Sequence, residues 1–405
     1  MLERASLYLA LGSVVSALVS IAVSQTLLGL ALAAVLASGQ KLRFPPIAMP
    51  LALFMILTVV SLALSGDPWA GRPQIRKFIV FLTLVVVSSA IRKPSEAKLL
   101  VLLWVAVGGL SAARGLSQYY LKYEQSQRLG QDFYQFYVGD RITGFMSHWM
   151  TFGGQMMIVL LMGAALFLFS PGGAGRQWAL ALCSVVVAVA LALSFTRSIW
   201  PGVGAGSLYL VWHWRRWMLL ALPVVLAAGF MVAPAPLRAR IASVWNPSGR
   251  FDSNEHRAVL RAAGWRMIQA HPVFGVGPMM VPRRFAEFAP PDAPKPLPAG
   301  WWYDHLHNNY IHYAAERGLP ALAAFLWLIA KVLWDFRRAL ARLPAGDRDG
   351  RFLLHGAMAA IAAILVSGLW EVNLGDSEVL AMFLAVISCG YVAVEATRPP
   401  EAAVG

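Results

Sequence analysis

The chain has 405 residues, of which 58% are hydrophobic and only 13% charged, with a formal net charge of +14. Soluble domains carry about 25% charged residues, so the deficit excludes an ordinary water-facing surface and favours a single membrane-embedded bundle over a series of soluble domains. Positive charge of this size points to nucleic acid in a soluble protein. Here Lys and Arg stand between apolar runs, with no RNA-binding signature and no basic repeat, so the charge reads as topogenic and lipid-directed and no nucleic-acid partner is expected.

The first run, MLERASLYLALGSVVSALVSIAV, lacks a small-residue cleavage site followed by a polar mature chain, and reads as a membrane helix, not as a removed signal peptide. A helix needs about 20 apolar residues to cross a bilayer. Runs near 5–22, 24–39, 46–65, 76–91, 98–117, 147–170, 177–195, 200–213, 217–234, 319–335, 352–370 and 378–395 predict about twelve spans, the second and eighth short. The predicted fold class is therefore an all-α polytopic membrane protein. Cys183 and Cys389 lie inside apolar runs, which argues against a disulfide or a redox pair. There is no internal repeat, and no pair of broken helices in matching halves as in many transporters.

Orientation follows from the short loops. Lys41 and Arg43, then Arg92, Lys93 and Lys98, then Arg176, then Arg215 and Arg216, and finally the arginines from Arg337 to Arg351 share one side. The positive-inside rule makes that side cytoplasmic, together with both termini. Segments 66–75, 118–146, 196–199, 235–318 and 371–377 then face away from the cytoplasm. The expected organisation has three parts: residues 1–234 hold nine spans and a smaller outer loop near 118–146, residues 235–318 form a large outer loop, and residues 319–405 hold three spans and a short cytoplasmic tail.

The large loop opens with SNEHRAVLRAAGWRMIQAHP, a predicted helix capped by Ser253 or Asn254. Arg257 and Arg261, four apart, share a face of it, while Arg266 lies on another side. The Gly- and Pro-rich FGVGPMMVPRRFAEFAPPDAPKPLPAGWWYDHL predicts a loop. HNNYIHYAAERG is helical in composition and is stopped by Gly318.

His307 opens that last piece and is a candidate general base or hydrogen-bond partner of a substrate hydroxyl, against the alternative of an interfacial imidazole with no role. Asp304, His305, His307 and His312 match no zinc spacing and no cysteine joins them, so no metal is expected. Arg197, in LSFTRSIWPG at the outer end of a very apolar run, is either topogenic or a phosphate clamp. Trp301, Trp302 and Tyr303 fit an aromatic belt or a sugar-stacking surface. A Ser-His-Asp triad finds no support, since GxSxG is absent.

These residues resemble the bacterial O-antigen ligase and polymerase superfamily, and more closely its ligase branch. Arg197 stands where that family carries an Arg-x3 motif in a short periplasmic loop, although Ser-Ile-Trp and Pro201 follow it where the ligase form ends in Leu. His307 and Gly318 fit the family's H-x10-G motif. Arg261, Trp265, Pro272, Gly275 and Gly277 match its R-x3-W and P-x2-G-x-G elements, and Arg141, Thr143, Gly144 and Phe145 its R-x-T-G-F element. The resemblance covers roughly residues 135 to 375.

The resemblance implies a membrane-embedded glycosyltransferase of the GT-C type in the bacterial inner membrane. Such an enzyme moves a polysaccharide from undecaprenyl-diphosphate-linked O-antigen to a sugar hydroxyl of lipid A–core oligosaccharide at the periplasmic face, with inversion and with neither metal, ATP nor another cofactor. On that expectation His307 is the base, and Arg197 and Arg261 are the foremost diphosphate clamps. Arg266 and Arg141 stand behind them, and Gly318, Gly275 and Gly277 shape the loop. The competing readings are an O-antigen polymerase, a protein O-oligosaccharyltransferase, and a polysaccharide flippase. Nearly charge-free spans with arginines gathered at the outer edge favour an enzyme over a transporter.

Overall fold

The computed structural model describes residues 1–244 and 253–397, and every regular element within them is helical. In chain order the helices are α1 (Leu2–Ser16), α2 (Ile21–Ala37), α3 (Ala48–Ala63), α4 (Pro68–Arg76), α5 (Leu82–Ala90), α6 (Pro94–Arg128), α7 (Phe133–Gly139), α8 (Trp149–Phe169) and α9 (Ala174–Leu193). After them come α10 (Ile199–Arg215), α11 (Leu222–Val232), α12 (Ala235–Ala242), α13 (Ser253–Ala270), α14 (Val281–Phe288), α15 (Asn309–Arg317), α16 (Leu319–Arg342), α17 (Arg348–Ser367) and α18 (Ser377–Ala396). Short 3-10 segments join α4 to α5 and α10 to α11.

Eight helical stretches among the described residues are long and apolar enough to cross a membrane, so the chain is a multi-pass membrane protein by its apolar helices. The difference from the twelve expected runs has two sources. Helices α1, α2 and α3, at 15, 17 and 16 residues, fall short of a full crossing by length. The runs at 200–213 and 217–234 form one 34-residue stretch, Ile199–Val232, in which Arg215, at φ −150 and ψ 86, leaves helical space.

Burial separates scaffold from lipid face. Helix α18 is buried along most of its length, and α8 and α17 pack against each other with nearly every apolar residue covered. In water this would demand a polar exterior. Instead Trp212 of α10, Trp217 and Leu220 of the 3-10 link, and Val224 and Met231 of α11 are exposed, as suits helices bathed in hydrocarbon.

The segment between α12 and α16 has its own apolar core. Leu260, Ala263 and Met267 of α13 meet Val281 and Phe285 of α14, with Leu306 and Ala315 closing the cluster. Helix α14 falls where the sequence suggested an irregular loop. Pro282 sits in its first turn, where no backbone donor is lost, and Val281 and Phe285, four apart, supply one buried face. The helix expected with Ser253 or Asn254 as its cap is α13, which already includes both residues, and the last piece is α15.

Two glycines fix how this segment meets the membrane bundle. At Gly275, with φ +68, a Cβ would stand 2.4 Å from the Glu316 carbonyl oxygen, and at Gly318, with φ +85, one would stand 1.9 Å from the Val273 oxygen. No side chain fits either place. The close approach lets the N–H groups of Val276 and Gly277 donate to the carbonyls of Ala315 and Glu316, satisfying acceptors that the C-terminus of α15 leaves open.

Candidate active site

Helix α15 begins two residues after the histidine. Asn308 is its cap, with Oδ1 accepting from the N–H groups of Tyr310 and Ile311, so His307 stands just before the helix with φ +46. That left-handed backbone is uncommon for a residue with a Cβ and persists only where its surroundings enforce it. The enforcement is visible. Asn308 Nδ2 donates to the Leu369 carbonyl at 2.9 Å, and the Asn309 N–H donates to the Gly368 carbonyl at 2.8 Å. Asn309 Nδ2 donates to Asn373 Oδ1 at 2.6 Å. The start of α15 is thus laced to the connection between α17 and α18.

That connection carries Glu371, which sequence reasoning did not single out. Its carboxylate is 3% exposed and lies 3.2 Å from His305 Nε2 through Oε1 and 3.2 Å from His307 Nδ1 through Oε2. Burial alone would raise the Glu371 pKa, but the two imidazoles outweigh it and hold the carboxyl well below the usual range, so it is an anion. Burial opposes the charged form of His305, yet the hydrogen bond and charge of Glu371 prevail and raise its pKa. With Nδ1–H of His307 donating to Glu371, its Nε2 keeps a lone pair. The His256 ring meets that of His307 edge-on at 5.6 Å and donates from Nε2 to the Trp302 carbonyl. Burial brings the His256 pKa down to about 4, so it is neutral near pH 7.

The arginines form a second group. Arg197 lies in the short link between α9 and α10 and donates from Nη1 to the Ser243 carbonyl at 2.9 Å. With Trp200, Asn254, Arg257 and Trp370 it lines a cavity of about 350 Å³. Two residues before it, Phe195 has φ +53, and its carbonyl accepts from both Arg141 Nη1 and Arg240 Nε. The Arg141 guanidinium also lies 4.9 Å from the Trp149 ring centroid. Burial and the charges of Arg240, Arg257 and Arg197 lower its pKa to about 9, which still leaves a cation at neutral pH. Four guanidiniums thus stand close together, and among the described residues that line the cavity the charged ones are arginines.

The structure joins Arg197 and Arg141 to Arg240 and Arg257, which the sequence reading had not put forward. Arg261, one turn beyond Arg257, is exposed and does not line the cavity. Arg266 is exposed too and donates to the Ala289 carbonyl at 3.0 Å. Both groups of residues meet at a dipeptide. Trp370 faces the arginine cavity, while Glu371 borders a polar cavity of about 200 Å³ with His148, Asp304, His305, His312 and Asp376. His305, His307 and Glu371 also offer three ligand atoms within 4.8 Å of one another, a geometry able to hold a cation. The sequence had offered His305 and His307 without the carboxylate that unites them.

A family model described as O-antigen ligase (Wzy_C) matches residues 179–326. Over that segment the chain is similar to O-antigen ligases. The match supports a place in the O-antigen ligase superfamily of glycosyltransferase-like membrane enzymes. The matched segment contains Arg197, Arg240, Arg257, His305 and His307, while Arg141 and Glu371 reach the same site from outside it. No curated protein matches the chain.

Proposed function

We propose that the protein is an O-antigen ligase of the GT-C type, with about twelve spans counting the shorter apolar helices, acting at the periplasmic face of the inner membrane. Its donor is a polysaccharide on undecaprenyl diphosphate and its acceptor is a sugar hydroxyl of lipid A–core. Residues 235–318 supply the larger share of the site over the spans on either side. The observation that carries this reading is the juxtaposition of an oriented imidazole with an arginine-lined cavity, across Trp370 and Glu371.

The chemistry needs little else. Nε2 of His307 takes the proton of the acceptor hydroxyl as its oxygen attacks the anomeric carbon. The bond from that carbon to the diphosphate oxygen breaks, and the electron pair passes to the diphosphate. Arg197 and Arg257, backed by Arg141 and Arg240, neutralise the growing charge. Glu371 stabilises the imidazolium that results. Attack from the side opposite the leaving group inverts the anomeric centre. Arg261 and Arg266 act at the rim, on the approach of the anionic donor.

Reconstitution with lipid-linked glycan and purified lipid A–core, in EDTA, tests the reading. Glycan on lipid A–core supports the ligase; product only on a second lipid-linked glycan makes the chain a polymerase. The three ligand atoms at His305, His307 and Glu371 favour one second reading, a cation-assisted transfer. Loss of product in EDTA with recovery on adding a divalent metal selects it over the general base.

A further inference from the structure

Arg317, the last residue of α15, takes no part in the chemistry above. It is 6% exposed, and its guanidinium stacks 4.7 Å from the Tyr313 ring centroid. Nη2 reaches Gln74 Oε1 at 3.4 Å and the Glu316 carboxylate at 3.6 Å, the latter longer than a hydrogen bond. Nε and Nη1 are buried and donate to nothing. A buried cation with two unmet donors costs free energy that folds do not leave uncompensated without a reason.

Arg317 lines one end of a narrow cleft between α3, the Gln74–Phe81 stretch, α16 and α18. The end near Arg317 is polar, with Gln74 and Lys77. The Lys77 ammonium, which has three donors, gives one to the Gly375 carbonyl at 2.7 Å. Beyond it the walls are apolar, among them Phe78, Phe325, Leu328 and Leu384. Cations at the mouth and an apolar depth between spanning helices complement a molecule with an anionic head and a hydrocarbon tail. Gln74 and Lys77 also border the polar cavity beside Glu371, so a head larger than glycerol would extend toward His305.

We propose that this cleft binds a membrane lipid through a phosphate head, whose oxygens satisfy Nε and Nη1 of Arg317 with Lys77 adding charge, while its chains lie along the apolar walls. The site is separate from the arginine cavity and does not depend on the transfer reaction. The test is native mass spectrometry of the whole purified protein with phosphatidylglycerol, with diacylglycerol of the same chains, or with inorganic phosphate alone. Phosphatidylglycerol should be retained at least fivefold more than either of the others. Arg317→Gln and Lys77→Gln should each cut its retention at least fivefold, and Arg197→Gln should leave it unchanged. Should Arg317→Gln fail to fold, Lys77→Gln decides alone. Full retention in the folded variants overturns the proposal, as does diacylglycerol binding as well as the phospholipid. Inorganic phosphate binding as tightly as the lipid overturns its lipid half. Because no transfer is measured, failure here and failure of the ligase reading are told apart.

Discussion

Nδ1 of His307 lies 3.2 Å from Oε2 of Glu371, a carboxylate 64 residues further along the chain. The pairing decides which imidazole nitrogen bears the proton and which is left to act as a base. His307→Ala should therefore abolish transfer while the protein still inserts. Glu371→Gln should lower kcat by roughly a hundredfold or more with donor KM little altered, since an amide cannot hold an imidazolium as a carboxylate does. Initial rates in proteoliposomes measure both, and full activity in His307→Ala would sink the general-base assignment.

The loop arginines should separate by position. Arg257 shares the cavity with Arg197, whereas Arg261 is exposed. Arg197→Ala and Arg257→Ala are each expected to lower kcat/KM for the lipid-linked donor by about ten- to a thousandfold, and Arg261→Ala by no more than about threefold. Equal losses in Arg257→Ala and Arg261→Ala would show that the cavity is not where the diphosphate binds.

Acid–base linkage gives a third expectation. The His305 pKa is raised in the folded protein, with Glu371 overcoming burial. Its stabilisation is therefore complete below the unfolded value near 6.5 and is lost as pH climbs through the raised folded value. Glu371 is depressed, so its share holds throughout neutral pH and disappears only as pH falls through a folded value well under 4.5. The melting temperature of the wild type should accordingly fall relative to His305→Asn on going from pH 6 toward alkaline pH. Parallel pH curves for the two proteins would refute the linkage.

Backbone strain offers a fourth. Gly318→Ala puts a Cβ 1.9 Å from the Val273 oxygen at a φ of +85. A loss of about 1–3 kcal/mol or more is expected, read as a drop of several degrees in melting temperature. Gly300→Ala, where a Cβ meets nothing within 4 Å, should be nearly silent and serves as control.

Much of this was legible in the sequence because apolar runs and glycine punctuation are local signals. The helical membrane bundle, α13, α15 and the stop at Gly318 all follow from them. The site was legible only in part. Arg197 stood out as a cation at the end of an apolar run, and His307 as the imidazole opening the last helical piece of the loop. Glu371 was not singled out, because its partner is 64 residues away and no spacing links them. Arg257 and Arg261 lie on one helical face, and periodicity alone cannot say which of the two reaches Arg197. Arg240 sits on α12, a short helix that no hydrophobic period announces, and its partner is a carbonyl exposed by the left-handed turn at Phe195. Helix α14 was hidden by the prolines and glycines around it.

Trp370 and Glu371 are consecutive residues, yet one lines the arginine cavity and the other the histidine cavity. Asn308 and Asn309 grip the backbone just ahead of them, and Asn373 is held just behind. A single inserted or deleted residue between Gly368 and Asn373 would break the phase in which one side chain serves each cavity, even with every side chain retained. The length of this connection is therefore as constrained as the identity of the residues it carries.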